Sequence, residues 1–255
     1  MGWLAIVLAV FVGLLLGLMG GGGSILMVPL LTYVAGLDAK EAIAGSLFVV
    51  GVTSLVSVGF HAKAGNVRWK TGLVFGAAGM VGAALGGVVG GFLPGTLLLI
   101  AFALMMLVTA WAMIRPRRTT AQAVPADHAP SRRLGRILLD GVVVGFVTGI
   151  VGAGGGFLVV PALVLLAGLP MSAAVGTSLL VIAMKSFAGL GGYLTTVSLD
   201  WPFLLAVTGV AALGALAGVA LVKRVPDKAL KKGFGWFVLV MGVVMLVTEL
   251  VGLLA

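Results

Sequence analysis

The chain alternates long apolar runs with brief polar or glycine-rich breaks. The runs cover 2–17, 24–36, 42–61, 70–92 and 96–114, then 136–149, 156–169, 172–192, 202–222 and 234–253. Apolar stretches of this kind predict membrane-spanning helices, whereas a membrane barrel would show segments of alternating polarity, and none occur. The expected fold is an all-α polytopic membrane protein of about 8–10 membrane segments. The segments beside 17–24 and 149–156 are short. A dozen helical residues rise about 18 Å against a hydrocarbon core of about 30 Å, so these are either thin tilted spans or re-entrant hairpins. Asp38 and Glu41 form an Asp-x-x-Glu pattern expected to cap the third segment.

One pattern occurs twice. Gly17-Leu18-Met19-Gly20-Gly21-Gly22-Gly23-Ser24 leads to Pro29 and Gly36, and Gly149-Ile150-Val151-Gly152-Ala153-Gly154-Gly155-Gly156 leads to Pro161 and Gly168, at a constant offset of 132. The same register pairs Gly13 with Gly145, Ser46 with Ser178, Ser54 with Ser186, Trp69 with Trp201, Gly82 with Gly214 and Pro94 with Pro226. Shared hydrophobicity does not reproduce so many Gly, Pro, Ser and Trp identities in one register, so the chain is an internal repeat. Residues 1–116 form the first half and 133–255 the second, with 117–132 a basic, Pro- and Ala-containing connector. The first run lacks a positive n-region, and its match at 134–148 reads as structure rather than as a signal peptide.

Composition adds that 61% of residues are hydrophobic and 9% charged, with net charge +9 and no cysteine. Soluble domains lie far from these values. The positive charge sits in short stretches between apolar runs, where it orients a membrane protein, so it does not point to nucleic acid. Residues 61–70 hold His61, Lys63, Arg68 and Lys70, but their counterparts 193–202 hold only Asp200. Residues 91–100 hold no charge, but 223–232 hold Lys223, Arg224, Lys228, Lys231 and Lys232 against Asp227. If 61–70, the arginine-rich connector and 223–232 are all cytoplasmic, each half crosses an odd number of times and the halves form an inverted repeat, with both termini outside.

Irregular backbone at membrane depth survives only where it lines a cavity or is buried in protein. The breaks at Gly20, Gly21, Gly22, Gly23 and Ser24, and at Gly152, Gly154, Gly155 and Gly156, expose successive N–H groups and open helix N-termini, which attract anions. The competing reading is that these glycines only allow close helix packing, as Gly76, Gly79, Gly82, Gly86 and Gly90 are expected to do. Ser46, Thr177 and Ser178 lie in the first turns of matched segments, with Thr53-Ser54 and Lys185-Ser186 about two turns deeper. Such hydroxyls either donate to an oxyanion or bond back to a helix carbonyl, the latter favoured for Thr53 and Ser54. Lys185 is the one Lys or Arg well inside an apolar run, and no Asp or Glu lies comparably deep, since Asp140 and Glu249 are near segment ends. A cation there is either a ligand for a negatively charged substrate or a side chain snorkelling to the interface. His61 reads as an interfacial loop residue. No arrangement suggests an enzyme, a metal site or a cofactor.

The doubled Gly-x-x-Gly-x-Gly-Gly segment, the following Pro and the Gly-Ser or Thr-Ser pair resemble the sulfite exporter TauE/SafE family of membrane permeases. The resemblance covers both halves apart from the connector. It implies passage of small sulfur-containing anions, such as sulfite, thiosulfate, sulfoacetate or related organosulfonates, across the bacterial inner membrane by a multi-pass transporter. The positions that match are Gly20, Gly22, Gly23, Pro29 and Ser46, and Gly152, Gly154, Gly155, Pro161, Thr177 and Ser178. The expectation is therefore a transporter whose partners are a small anionic substrate and the lipid bilayer. Its glycine breaks would meet near the midplane, and the site would be exposed alternately as the halves rock. A continuously open anion channel and a non-transporting membrane scaffold are the competing functions. Gly22→Val or Gly154→Val is expected to abolish anion flux into proteoliposomes, and retained flux in both would count heavily against the glycine site.

Overall fold

The computed structural model describes residues 2–19, 24–114, 130–151, 159, 160, 163, 169, 171–221 and 227–254. Among these the chain is helical, without strands. In order come α1 (Gly2–Met19), α2 (Ser24–Val34), α3 (Ala39–Lys63), α4 (Trp69–Phe92) and α5 (Gly95–Ile114). The second half supplies α6 (Pro130–Val151), α7 (Met171–Tyr193), α8 (Trp201–Leu221) and α9 (Asp227–Leu254).

The boundaries follow the apolar runs, with instructive departures. α1 has 18 residues, enough for about 27 Å, so it is less short than its hydropathy suggests. α6 starts at Pro130, inside the stretch read as connector, because proline's missing N–H and fixed φ suit the first helical position. α9 starts at Asp227, since helix propensity continues through Lys and Ala where hydropathy fails. α2 is irregular: it passes from 3₁₀ to α geometry at Met27–Pro29 and ends as a π-helix over Leu30–Val34. Pro29 donates no backbone hydrogen bond and crowds the preceding turn, which loosens the ladder. Gly36 then leaves the helix at φ 78°, which few residues other than glycine adopt readily. The expected cap at α3 is corrected in one respect. Asp38 occupies the N-cap position and its carbonyl accepts from Ala42 N at 2.8 Å, but its side chain makes no capping bond and instead lines a surface cavity.

Glycines set how the helices meet. A Cβ on Gly13 would collide with the Ala211 carbonyl and one on Gly17 with the Ala215 carbonyl, so α1 and α8 lie backbone to backbone and run parallel. Gly82 and Gly86 approach the Val142 and Phe146 carbonyls in the same way, making α4 and α6 parallel. Along α4, Gly72 faces Leu180, Gly76 faces Met184 and Gly90 faces Tyr193, so α7 also runs parallel to α4. α3 runs antiparallel to α7, because Gly51 meets Ser186 and Phe187 while Gly189 meets Leu47. Small residues allow this close approach, which replaces the hydrophobic drive that lipid cannot supply.

Short turns join α3 to α4, α4 to α5 and α7 to α8. α3, α5 and α8 therefore end, and α4, α6, α7 and α9 begin, at one face. The three basic stretches of the sequence flank helix ends at that face, which the positive-inside rule assigns to the cytoplasm. Trp3, Trp69, Trp111 and Trp201 are exposed within a few residues of helix ends, as interfacial anchors are. Four helices, α3, α4, α7 and α8, contain spans long and apolar enough to cross a bilayer by length and composition. Gly82→Ala should destabilise the protein by about 1–3 kcal/mol through overpacking. Gly59→Ala, with nothing within 4 Å of its Cβ, should be neutral or stabilising by up to about 1 kcal/mol. Thermal unfolding of the purified protein in detergent distinguishes the two.

Candidate functional site

The two glycine clusters, Gly20–Gly23 and Gly152–Gly156, lie outside the described residues. Their flanks are defined. α1 reaches its cluster with Leu18 level with Gly218, near the end of α8, whereas α6 reaches its own with Ile150 level with Gly90, near the end of α4. α8 ends at the basic face and α4 at the other, so the two leading helices finish toward opposite faces and do not both stop at the midplane. The cause is length: both helices run further than their hydropathy indicates. Beyond the first cluster, Ser24 is fully buried and opens α2.

The hydroxyls divide by their bonding. Ser46 Oγ donates to the Ile43 carbonyl at 2.8 Å and Ser178 Oγ to the Val175 carbonyl at 2.7 Å, each within its own helix. Thr53 donates to the carbonyls of Val49 and Val50, and Ser57, Thr148 and Thr208 bond back in the same manner. Thr177 does something else. Its Oγ1 accepts the Arg68 backbone N–H at 2.9 Å, tying the α3–α4 turn to the start of α7. Ser54 and Ser186 depart from this pattern: both are 0% exposed, and neither hydroxyl has a hydrogen-bond partner. The back-bonding expected of Thr53 and Ser54 thus holds for Thr53 and fails for Ser54.

Lys185 is 1% exposed and its Nζ has no hydrogen-bond partner, so it does not snorkel. A Cβ on Gly79 would lie 2.7 Å from Lys185 Cδ and 3.0 Å from Cγ, so the lysine stem occupies the space that Gly79 leaves open on α4. Gly79 was expected to serve helix packing alone. The signal for its second role was present in the repeat register, where Lys185 and Gly79 replace Thr53 and Ala211. A long side chain in one half coincides with a missing side chain opposite it. His61 is also placed differently from expectation: it belongs to the last turn of α3, is 7% exposed, and its Nε2 has no partner.

A cavity of about 500 Å³ opens at the non-basic face, lined by residues including Asp38, Lys40, Glu41, Thr96 and Glu249. Its carboxylates disfavour an anion, and Lys40 Nζ is engaged with the Gly91 carbonyl at 2.8 Å. Glu249 accepts from the Tyr33 hydroxyl at 3.1 Å. Lys185 is not among the residues that line this cavity.

Comparison with known proteins agrees with this picture. The family described as sulfite exporter TauE/SafE matches residues 5–245. A protein of Xylella fastidiosa (strain Temecula1) named "Probable membrane transporter protein" is 38% identical over 67% of this chain and 66% of its own length. A Methanocaldococcus jannaschii protein named "Probable membrane transporter protein MJ0441" is 32% identical over 75% of this chain and 72% of its own. A Bacillus subtilis protein named "Probable membrane transporter protein YdhB" is 27% identical over 89% and 93%. No solved structure matches. Within the site, Thr177→Val removes the acceptor for the Arg68 N–H and should lower stability by about 1–3 kcal/mol, read as a lower unfolding temperature in detergent.

Proposed function

This chain belongs to the sulfite exporter TauE/SafE family, and on that footing we propose that it carries a small sulfur-containing oxyanion, such as sulfite, thiosulfate or an organosulfonate, across a bacterial inner membrane. The observation that carries the reading is Lys185, a buried lysine whose Nζ has no hydrogen-bond partner among the described residues. An intramembrane ionisable group without a counter-ion is suited to a guest that brings the opposite charge.

In this reading the halves are an inverted repeat, supported by the helix directions: α1, α3 and α4 run opposite to their register partners α6, α7 and α8. The amides of Gly20, Gly21, Gly22 and Gly23 with Ser24, and those of Gly152, Gly154, Gly155 and Gly156, serve the anion from opposite sides of the membrane. Ser46 and Ser178 contribute by rotating their hydroxyls from their own carbonyls to the anion, and Thr177 has a proton to give while it holds the Arg68 turn. Rocking of the halves exposes the path alternately.

A thermal-shift screen of sulfite, thiosulfate, sulfate, sulfoacetate and taurine, with carboxylate controls, tests the reading. A specific anion at about a hundred times its Kd adds about 2.7 kcal/mol of stability. Lys185→Met should leave the unliganded protein at least as stable, because it deletes an unpaired buried polar group, while losing most of the anion's stabilisation. A Lys185→Met protein that keeps the full shift would refute the lysine's role.

A further inference from the structure

Among the described residues, Ser54, Ser186 and Lys185 are buried polar groups without hydrogen-bond partners, Ser54 on α3 and Ser186 and Lys185 on α7, the helix that crosses it. Ser186 Cβ lies 3.3 Å from the Cβ position of Gly51 on α3, and Ser54 is one turn along the same helix from Gly51. The repeat register maps Gly51 onto Ala183 and Ser54 onto Ser186. The two serines are therefore register-matched residues on the two crossing helices, and Ser186 is set against Gly51. Ser46, Thr53, Ser57, Thr148, Ser178 and Thr208 all donate to helix carbonyls; among the described residues Thr32 shares the lack of a partner with Ser54 and Ser186, but only the two serines hold register-matched positions. Lys185 adjoins Ser186 in sequence and projects to α4, over Gly79.

We propose that Ser54, Ser186 and Lys185 form a central oxyanion site at the α3–α7 crossing, at which an anion and a proton bind together. The proposal rests on the transport reading above and assigns its innermost site. The physical argument is mutual need. An ammonium buried without a counter-ion is strongly disfavoured, and so is an oxyanion without a cation or donors. Each removes the other's penalty. The anion therefore enters with a proton from water that Lys185 Nζ takes up, and both leave together. The serines donate to two of the anion's oxygens.

Of the other titratable groups on the helices around Lys185, those on α3, α4 and α7 sit at some distance along them, whereas Asp140 on α6 adjoins a residue that packs beside Gly79. On α3, Lys40 and Glu41 lie at one end, and His61 and Lys63 at the other, with His61 beside Gly176, nine residues from Lys185. On α4, Lys70 lies in the first turn, and on α7, Tyr193 donates to the Ile150 carbonyl. On α6, Asp140 precedes Gly141, which packs on Ala78.

Calorimetric titration of the purified full chain with thiosulfate, a dianion at neutral pH, in two buffers of different ionisation enthalpy reads binding and proton uptake together. Wild type should take up close to one proton per anion. Lys185→Met should lose that uptake and bind at least tenfold more weakly. Ser54→Ala and Ser186→Ala should each weaken binding several-fold with the uptake intact, and Thr53→Val should match wild type in both. Unliganded unfolding temperatures identify any variant that is misfolded, and Lys185→Arg serves in place of Lys185→Met if the latter does not fold, with uptake again lost because arginine stays charged. Thiosulfate binding without proton uptake, or with full affinity in both serine variants, would overturn the central site and leave the transport reading standing. Loss of uptake in Asp140→Asn would overturn it by giving Lys185 a partner within the protein. Failure of thiosulfate and every other anion of the panel to bind wild type would overturn both.

Discussion

Hydrocarbon supplies no hydrogen bonds, so each polar atom that a helix carries into the membrane needs a partner from the protein or from a guest. This chain meets the requirement economically. Buried Ser46, Thr53, Ser57, Thr148, Ser178 and Thr208 hand their protons to carbonyls three or four residues back, which keeps each helix self-sufficient. Thr177 accepts the Arg68 N–H and so fixes a turn. Against that background Ser54, Ser186 and Lys185, like Thr32 on α2 and His61 at the end of α3, have no hydrogen-bond partner among the described residues. Ser186 and Lys185 pack against Gly51 and Gly79, residues that leave space where any other side chain would fill it.

The same economy governs packing. Lipid is as apolar as leucine, so helices gain from meeting only when their backbones come close. Gly13, Gly17, Gly82 and Gly86 bring α1 against α8 and α4 against α6 with carbonyls at the contact. Each of these pairs joins a first helix from one half to the fourth membrane segment of the other. The halves are thus interlocked through matched seams, and α3 and α7, matched to each other, meet at the crossing where the unpartnered serines lie.

Much of the fold was legible in the sequence because hydropathy and the 132-residue register report on burial in lipid and on matched backbone geometry. The apolar runs at 42–61, 70–92, 172–192 and 202–222 became α3, α4, α7 and α8, with every end within three residues of the expected one. Helix ends such as Pro130 and Asp227 were hidden because polar residues outside the membrane still favour helix. The site was less legible. Hydropathy cannot tell whether a serine bonds back, so Ser46 and Ser54 looked alike although only Ser54 is left without a partner. Nor does an apolar run show whether its lysine reaches an interface. That depended on Gly79, a residue on another helix, and the register alone linked the two.

That link also bears on how the halves divide their labour. A repeat with identical halves would place two lysines about its axis, and their repulsion would exclude one charge or demand two anions. Here the second position is Thr53, turned back on Val49 and Val50, and the residue matching Gly79 is Ala211, which carries a methyl where Gly79 has none. The lysine and the glycine beneath it thus occur in one half-to-half pairing and not in its register counterpart. A single buried cation, its stem laid over Gly79 on α4, therefore makes the two halves chemically unequal where their backbones correspond.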